Sequence, residues 1–528
     1  MNKRIVSLLL AVLMVAALFC ACAGEENPAD TTAATTTAAT TEATTTEATT
    51  TEATTTEATT TEATTTEATT TEATTTEDPF DLSKSSTWTD DQWLAYEQQL
   101  DFGGREFILS INTDDYSPYS FTDGVQSVRD SEICAEWDEV LQQLQDDLNI
   151  TITYISSLGD GAEAMTYFMA GDCPADFYNL KTHTWFPIYS IGGLVKLNSD
   201  EMLAAGLDVN NEKLFYQPFT HAWDVKGDTY GLRYASKFLP PEAGWVLFYN
   251  KDLVAATGTD ICQLVRDGDW TWDAFYELAG KLTQDTDGDG TNDIWGIATG
   301  YLGFGEEVLL TGGKIVDWQD GKLTSMINST EAMEAYTFMD KVANSGYIVQ
   351  NLEGANATYK EGHLAFKTGT VGLLWSEMPL ARRGLSGSTK LAEAEISWGT
   401  VPTPKATKEA DYGNILGGVR YDCMFITNKT QAESAAIYAA YSRRQNTTDV
   451  EECMKEYLQD YDDEESLEMI RDYIFAKPVA NWSWCSVEHN DTYRAELVYK
   501  IFDEELAPSS LVESVQPKLQ QLLDALNK

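Results

Sequence analysis

Histidine, cysteine and basic residues are scarce in this chain. Four histidines (His183, His221, His363 and His489, none near another) and eight scattered cysteines leave little material for a zinc site or a thiol enzyme. Lys and Arg number 35 against 84 Asp and Glu, a formal net charge of −49; such a surface repels nucleic-acid phosphates and anionic lipid headgroups. Beyond the N-terminus no apolar run reaches the length of a membrane span. A Gly-x-Ser-x-Gly elbow, a phosphate-binding loop and a His-Glu-x-x-His pair are also missing. What is present is 43% apolar and 11% aromatic, with 14 Trp, 25 Tyr and 19 Phe. Over 528 residues that builds a large core in roughly two to four ordinary domains.

The N-terminus reads as an address. Lys3 and Arg4 precede an apolar stretch from Ile5 to Phe19, a secretory signal pattern over residues 1–21. Ala21 before Cys22 resembles a bacterial lipobox, making Cys22 the residue acylated after cleavage; the competing reading is an ordinary signal peptide cut near Ala21 or Ala23. Residues 22–100 are then read as a low-complexity linker. From Thr31 to Glu77 the chain is almost wholly Thr, Ala and Glu, with Glu42 to Glu77 recurring every five residues. That period fits neither helix nor strand and buries nothing, so the segment is expected to be an extended spacer, open to O-glycosylation, with a coil reach of about 50 Å. In an exported protein the six later cysteines (Cys134, Cys173, Cys262, Cys423, Cys453 and Cys485) form either three bridges or buried thiols.

Residues 101–528 read as α/β. Arg105 to Ile111 predicts a buried strand, and Ile133, Trp137, Val140, Leu141, Leu144 and Leu148 fall at helical spacing. Ile150 to Ile155 alternates as a strand, Ala162 to Ala170 as a helix, and Ala175 to Leu180 as a third strand. Strand, helix and strand in that order imply a parallel sheet whose ligand crevice lies at the carboxyl ends of its strands. Asp114, Asp115 and Tyr116 are expected on one lip, and Lys181, His183 and Trp185 on its neighbour.

One loop stands apart. Asp285, Asp287 and Asp289, a backbone carbonyl at Thr291 and a further carboxylate at Asp293 follow the spacing of an EF-hand-type loop, with Gly290 at its turn. Position 12 is Gly296 rather than the usual Glu. The residues predict a structural Ca2+; the alternative is an empty polar turn.

Five segments in one order carry a resemblance. Gly171-Asp172-x-Pro174-x-Asp176 leads to Gly193-Leu194-Val195-Lys196-Leu197, and Tyr230-Gly231-Leu232 leads to Tyr249-Asn250-Lys251-Asp252-Leu253. Trp270-Thr271-Trp272-Asp273, then Phe366 to Gly372, then Gly399 to Pro404 follow. Together these resemble the family 1 extracellular solute-binding proteins, the receptors of sugar ABC importers; Arg233 and Thr370 depart from the family's usual proline and lysine. The resemblance implies a two-lobed periplasmic-binding-protein-like α/β fold with a hinge. Lobe one would span 101–232, with about 413–470 returning to it, and lobe two 233–412, with about 471–528 returning. It further implies that Trp375, with Glu377 in the same loop, stacks on the ligand, and that members carry a cation loop after the Trp-Thr-Trp helix. Trp482 and Trp484 would face opposite ways if extended, bringing one of them to the cleft; Trp482 is taken as that residue.

The function this implies is capture of a sugar or oligosaccharide without covalent chemistry. The loaded monomer would pass it to ABC permease subunits while its N-terminal lipid holds it to the outer face of the cytoplasmic membrane, in a Gram-positive envelope. The alternatives are a secreted glycoside hydrolase, for which pairs such as Glu306-Glu307 carry no weight among 84 acids, and a carbohydrate-capturing adhesion protein. Peptide is the main competing ligand.

Overall fold

The structure is a computed structural model and describes residues 80–111, 131–156, 162–235, 244–299, 304–306, 312–349, 357–378, 391, 394–447, 451, 463–503 and 506–527. The expected signal peptide, Cys22, the Thr/Glu repeats and Asp114 to Tyr116 lie outside the described residues. In chain order the strands are β1 (Arg105–Ile111), β2 (Ile150–Ser156), β3 (Phe177–Lys181), β4 (Trp245–Asn250), β5 (Trp295–Thr299), β6 (Val316–Gln319), β7 (Lys322–Ser325), β8 (Val371–Glu377), β9 (Trp398–Val401), β10 (Asn414–Leu416), β11 (Arg420–Cys423) and β12 (Pro478–Ala480).

The first lobe is built on the sheet β11-β3-β1-β2, with β1 parallel to β2 and β3 and β11 antiparallel to β3. Helix Ser131–Leu148 crosses from β1 to β2 and helix Ala162–Ala170 from β2 to β3, the two units expected from periodicity. Trp137, Leu141, Leu144 and Leu148 form the buried stripe of the longer helix, against Phe107 and Leu109 of β1. The Gly-Asp-x-Pro-x-Asp segment has a structural reason. Asp176 is 8% exposed, accepts from the Ile108 N–H at 2.8 Å and Ser434 Oγ at 2.5 Å, and pairs with Arg105. It therefore ties β1, the turn before β3 and the helix Gln431–Gln445 into one body.

The linker does not run to residue 100 as expected. Leu82–Thr87 is a 3-10 turn, and Asp90–Glu97 is a helix opened by a capping box between Thr89 and Gln92. Trp88 and Trp93 are buried among Phe107, Trp137 and Tyr441. Glu97, 1% exposed, accepts from Arg443 at 2.6 and 2.7 Å and from Arg444 at 3.1 and 2.7 Å. A carboxylate left alone at that depth would cost several kcal/mol, so the two arginines hold this segment to lobe one.

The second lobe has the sheet β5-β8-β4-β9, in which β8 runs parallel to β5 and antiparallel to β4. Thr271 caps helix Trp272–Leu282, whose buried face is Trp272, Phe275, Leu278, Ala279 and Leu282. β6 and β7 form a hairpin turned at Asp320 and Gly321, whose positive φ values of 50° and 76° suit a tight two-residue turn.

Leu232 bridges Asp422 of lobe one, and Gly244 lies beside β10. β10 and β12 pair in parallel as crossing strands. The return to lobe two comes before the expected residue 471: Asp463 pairs with Lys251 at 2.8 Å, and Ser466 Oγ accepts from the Thr400 N–H at 2.8 Å. Of the cysteines, Cys173, Cys262, Cys423 and Cys485 are free thiols. Burial raises the Cys262 thiol to about 11 and Cys485 to about 12, which leaves both unreactive at neutral pH.

Candidate functional site

Aromatic rings from both lobes converge beyond the carboxyl end of β3. Helix Thr182–Ser190 begins directly at the end of β3 and carries His183, Trp185 and Phe186. From lobe two the β6–β7 hairpin contributes Trp318, and the 3-10 turn Trp482–Cys485 lies between them. Trp482 meets Phe186 at 5.5 Å, Trp318 at 5.4 Å and Trp223 at 4.7 Å between ring centres. The turn is not extended, so Trp482 and Trp484 are both held at the junction. Trp482 is 9% exposed and packed, whereas Trp484 is half-buried and stacks on His183 at 5.8 Å with planes 26° apart.

Around Trp484 the polar groups converge. Glu306, 3% exposed, accepts from Trp484 Nε1 at 2.9 Å, from Asn481 Nδ2 at 2.9 Å and from Arg494 Nε at 2.6 Å. The Arg494 guanidinium stands 4.4 Å from the Trp484 ring centre. Gly417 and Gly418 let the backbone lie against the indole, since a Cβ on either would fall 2.8 or 2.7 Å from it. None of Glu306, Asn481, Arg494 or the glycine pair was expected. The glycine pair is the signal that could have found the last of these; Glu306 had none.

The structure corrects two expected ligand residues, the stacking Trp375 and the lip residue Trp185. Trp375 is not in a loop but inside β8, which runs on to Glu377 between β4 and β5. Its ring is fully buried edge-on against Phe275 at 5.4 Å and Phe304 at 4.9 Å, with no face for a ligand. Trp185 is likewise core, 1% exposed against Phe186 and Trp223, because the helix starts at Thr182 and turns this side chain inward. Glu377 ends β8, half-buried opposite Trp245; Lys181 ends β3, half-buried opposite Arg420. A cavity of about 600 Å3 beside β10 and β12 is lined by Trp272, Met326, Tyr412, Ile415 and Val479 and by none of the expected residues.

In the acidic loop, Asp285, Asp287 and Asp289 place carboxylate oxygens within 4.8 Å of one another, all exposed. Gly288 and Gly290, at φ 79° and 92°, curl the chain so that their N–H groups reach Asp285 at 2.7 and 2.8 Å. Three anionic oxygen donors at this spacing suit a hard cation such as Ca2+. Asp293 stands outside that group: its carboxylate accepts from the Thr286 N–H at 2.7 Å and from the Thr286 hydroxyl, which hold its pKa below the usual range. The Thr291 N–H donates to Asp289 at 2.7 Å.

Two α/β lobes joined by crossing strands, with aromatic and polar side chains gathered where they meet, define a binding protein that holds a solute between its halves. The chain belongs to the bacterial extracellular solute-binding proteins, whose pattern residues 134–438 match. It is similar in fold to the ABC substrate-binding protein Lmo0181 of Listeria monocytogenes, crystallised with cycloalternan, at 16% identity and a TM-score of 0.52 over 80% of this chain and 99% of that one. It is also similar to the GacH receptor of Streptomyces glaucescens, known with acarbose (14%, TM-score 0.52, 80% and 99%). UgpB of Mycobacterium tuberculosis, in complex with glycerophosphocholine, matches at 15% identity and a TM-score of 0.52 over the same shares. No curated protein matches by sequence. The family is one of receptors, in accord with a role in binding rather than catalysis. No helix among the described residues is long and apolar enough to cross a membrane.

Proposed function

We propose that this protein captures an oligosaccharide outside the cell and delivers it to the permease subunits of an ABC importer. The observation that carries the reading is the junction at Trp484: a half-buried indole surrounded by Glu306, Asn481, Arg494 and His183. Sugars present flat C–H faces and rows of hydroxyls, and such a mixture of aromatic surface and forked polar groups meets both. The relatives named for complexes with cycloalternan and acarbose support the same class. The test is a thermal-shift and calorimetric screen of the folded part against maltotriose, cellotriose, xylotriose and chitotriose, with short peptides as controls. A ligand that binds only the folded state raises the melting temperature, and the sugar should be recovered intact. A shift with peptides alone, or cleaved sugar, would overturn the reading.

We further propose that Cys22 is acylated and tethers the chain to the outer membrane face, and that the Asp285–Asp289 loop takes a structural Ca2+. Two acyl chains hold a protein stably where one does not. Cys22→Ala should therefore move the protein from the membrane fraction into the medium; retention in membranes would count against the anchor.

A further inference from the structure

We propose that Glu306 is a positioning residue for solute binding, acting through the indole of Trp484. This rests on the reading of the lobe junction as the sugar site. Glu306 follows β5 at the edge of lobe two, and its carboxylate is almost wholly removed from water. Burying that charge requires full compensation, which three donors supply: Asn481 Nδ2 and Trp484 Nε1 on one oxygen, Arg494 Nε on the other. The carboxylate fixes the edge of the ring, the Arg494 guanidinium lies 4.4 Å from the ring centre, and the backbone at Gly417 and Gly418 leaves the ring no room on that side. His183, carried by lobe one, stacks on the indole so fixed. The ring is thus held by Glu306 and Arg494 of lobe two and by the Gly417–Gly418 backbone and His183 on the side of lobe one, and a solute held between the lobes is sensitive to its orientation.

Glutamine cannot replace the carboxylate. Whichever way its amide is turned, an N–H2 group faces either Arg494 or the pair Asn481 and Trp484, donor against donor. Glu306→Gln should therefore weaken binding of the tightest oligosaccharide in the panel above roughly ten- to a hundredfold, the range expected for losing hydrogen bonds to a charged group. Glu306→Asp keeps the charge, and so the Arg494 pair, but shortens the reach to Trp484; it should weaken binding while the melting temperature stays near that of the parent. The deciding measurement is a double-mutant cycle with Trp484→Phe, read by calorimetry and by near-ultraviolet circular dichroism of the free proteins. If Glu306 works through the indole, Glu306→Gln adds nothing to Trp484→Phe in affinity, and alone it removes much of the dichroism that Trp484→Phe removes. Losses that multiply in the double variant, or unchanged affinity in Glu306→Gln and Glu306→Asp, would overturn the positioning role and leave the sugar site standing. Failure of the parent protein to bind any oligosaccharide would overturn both.

Discussion

His489 is fully buried behind the Trp482–Cys485 turn, with Nδ1 3.1 Å from the Ser483 carbonyl. Burial lowers its pKa from 6.5 to about 4, so the folded protein keeps the ring neutral while the unfolded chain takes up a proton near 6.5. Between those values the unfolded state binds more protons, and stability falls as pH drops through the window. Denaturant unfolding should find the parent about 2–3 kcal/mol less stable at pH 4.5 than at pH 7 through this group. In His489→Asn that part of the acid slope should disappear, and a slope unchanged by the substitution would refute the assignment. Other residues of the same neighbourhood were only partly legible. The sequence offered Trp375 as a stacking platform and Trp185 and Trp482 as cleft residues, but aromatic identity does not say whether a strand lies at the centre of its sheet, as β8 does. Glu306 was invisible for a different reason: Asn481, 175 residues further on, is among its partners, and no local pattern connects them.

At the scale of elements, what could be read was what is local. Helix Ser131–Leu148 and helix Ala162–Ala170 followed from apolar spacing, and β1 and β2 from short alternating runs. The helix Asp90–Glu97 was missed because the linker was carried past the end of the repeats at Glu77 to the turn before β1, against two better signals. One is the Thr89-x-x-Gln92 capping box; the other is a pair of tryptophans with no reason to sit in a solvated spacer. The acidic loop between helix Trp272–Leu282 and β5 carries the next expectation. Asp285, Asp287 and Asp289 repel one another at their mutual distances, and a bound Ca2+ would remove that repulsion and brace the turn. Adding a chelator should lower the melting temperature by several degrees, with excess Ca2+ restoring it, and Asp287→Asn should blunt the effect. A melt indifferent to both reagents would leave the loop a polar turn.

For the whole molecule, the two-lobed plan came from five segments in family order, not from any periodicity. Only the structure reveals how the lobes are stitched. β11 adds antiparallel to the parallel sheet of lobe one, and Gly244, just before β4, sits where a Cβ would fall 1.9 Å from the Ile415 carbonyl, so the chain there lies directly against the crossing strand β10. If the lobes close on sugar about β10 and β12, small-angle scattering on the oligosaccharide that gives the thermal shift should record a smaller radius of gyration. Binding with no change of shape would argue for a site formed before the solute arrives.

The clamp of Glu97 between Arg443 and Arg444 has a mechanical meaning. The first described residues, from Phe80 on, pack on lobe one, in a segment riveted by two arginines and two buried tryptophans. If Cys22 tethers the protein as proposed, tension arriving through the N-terminus would be borne by that rivet, away from β10 and β12. Lobe two would then be left free of that load, and a tethered receptor would sense the same solute concentration whether its leash is slack or taut.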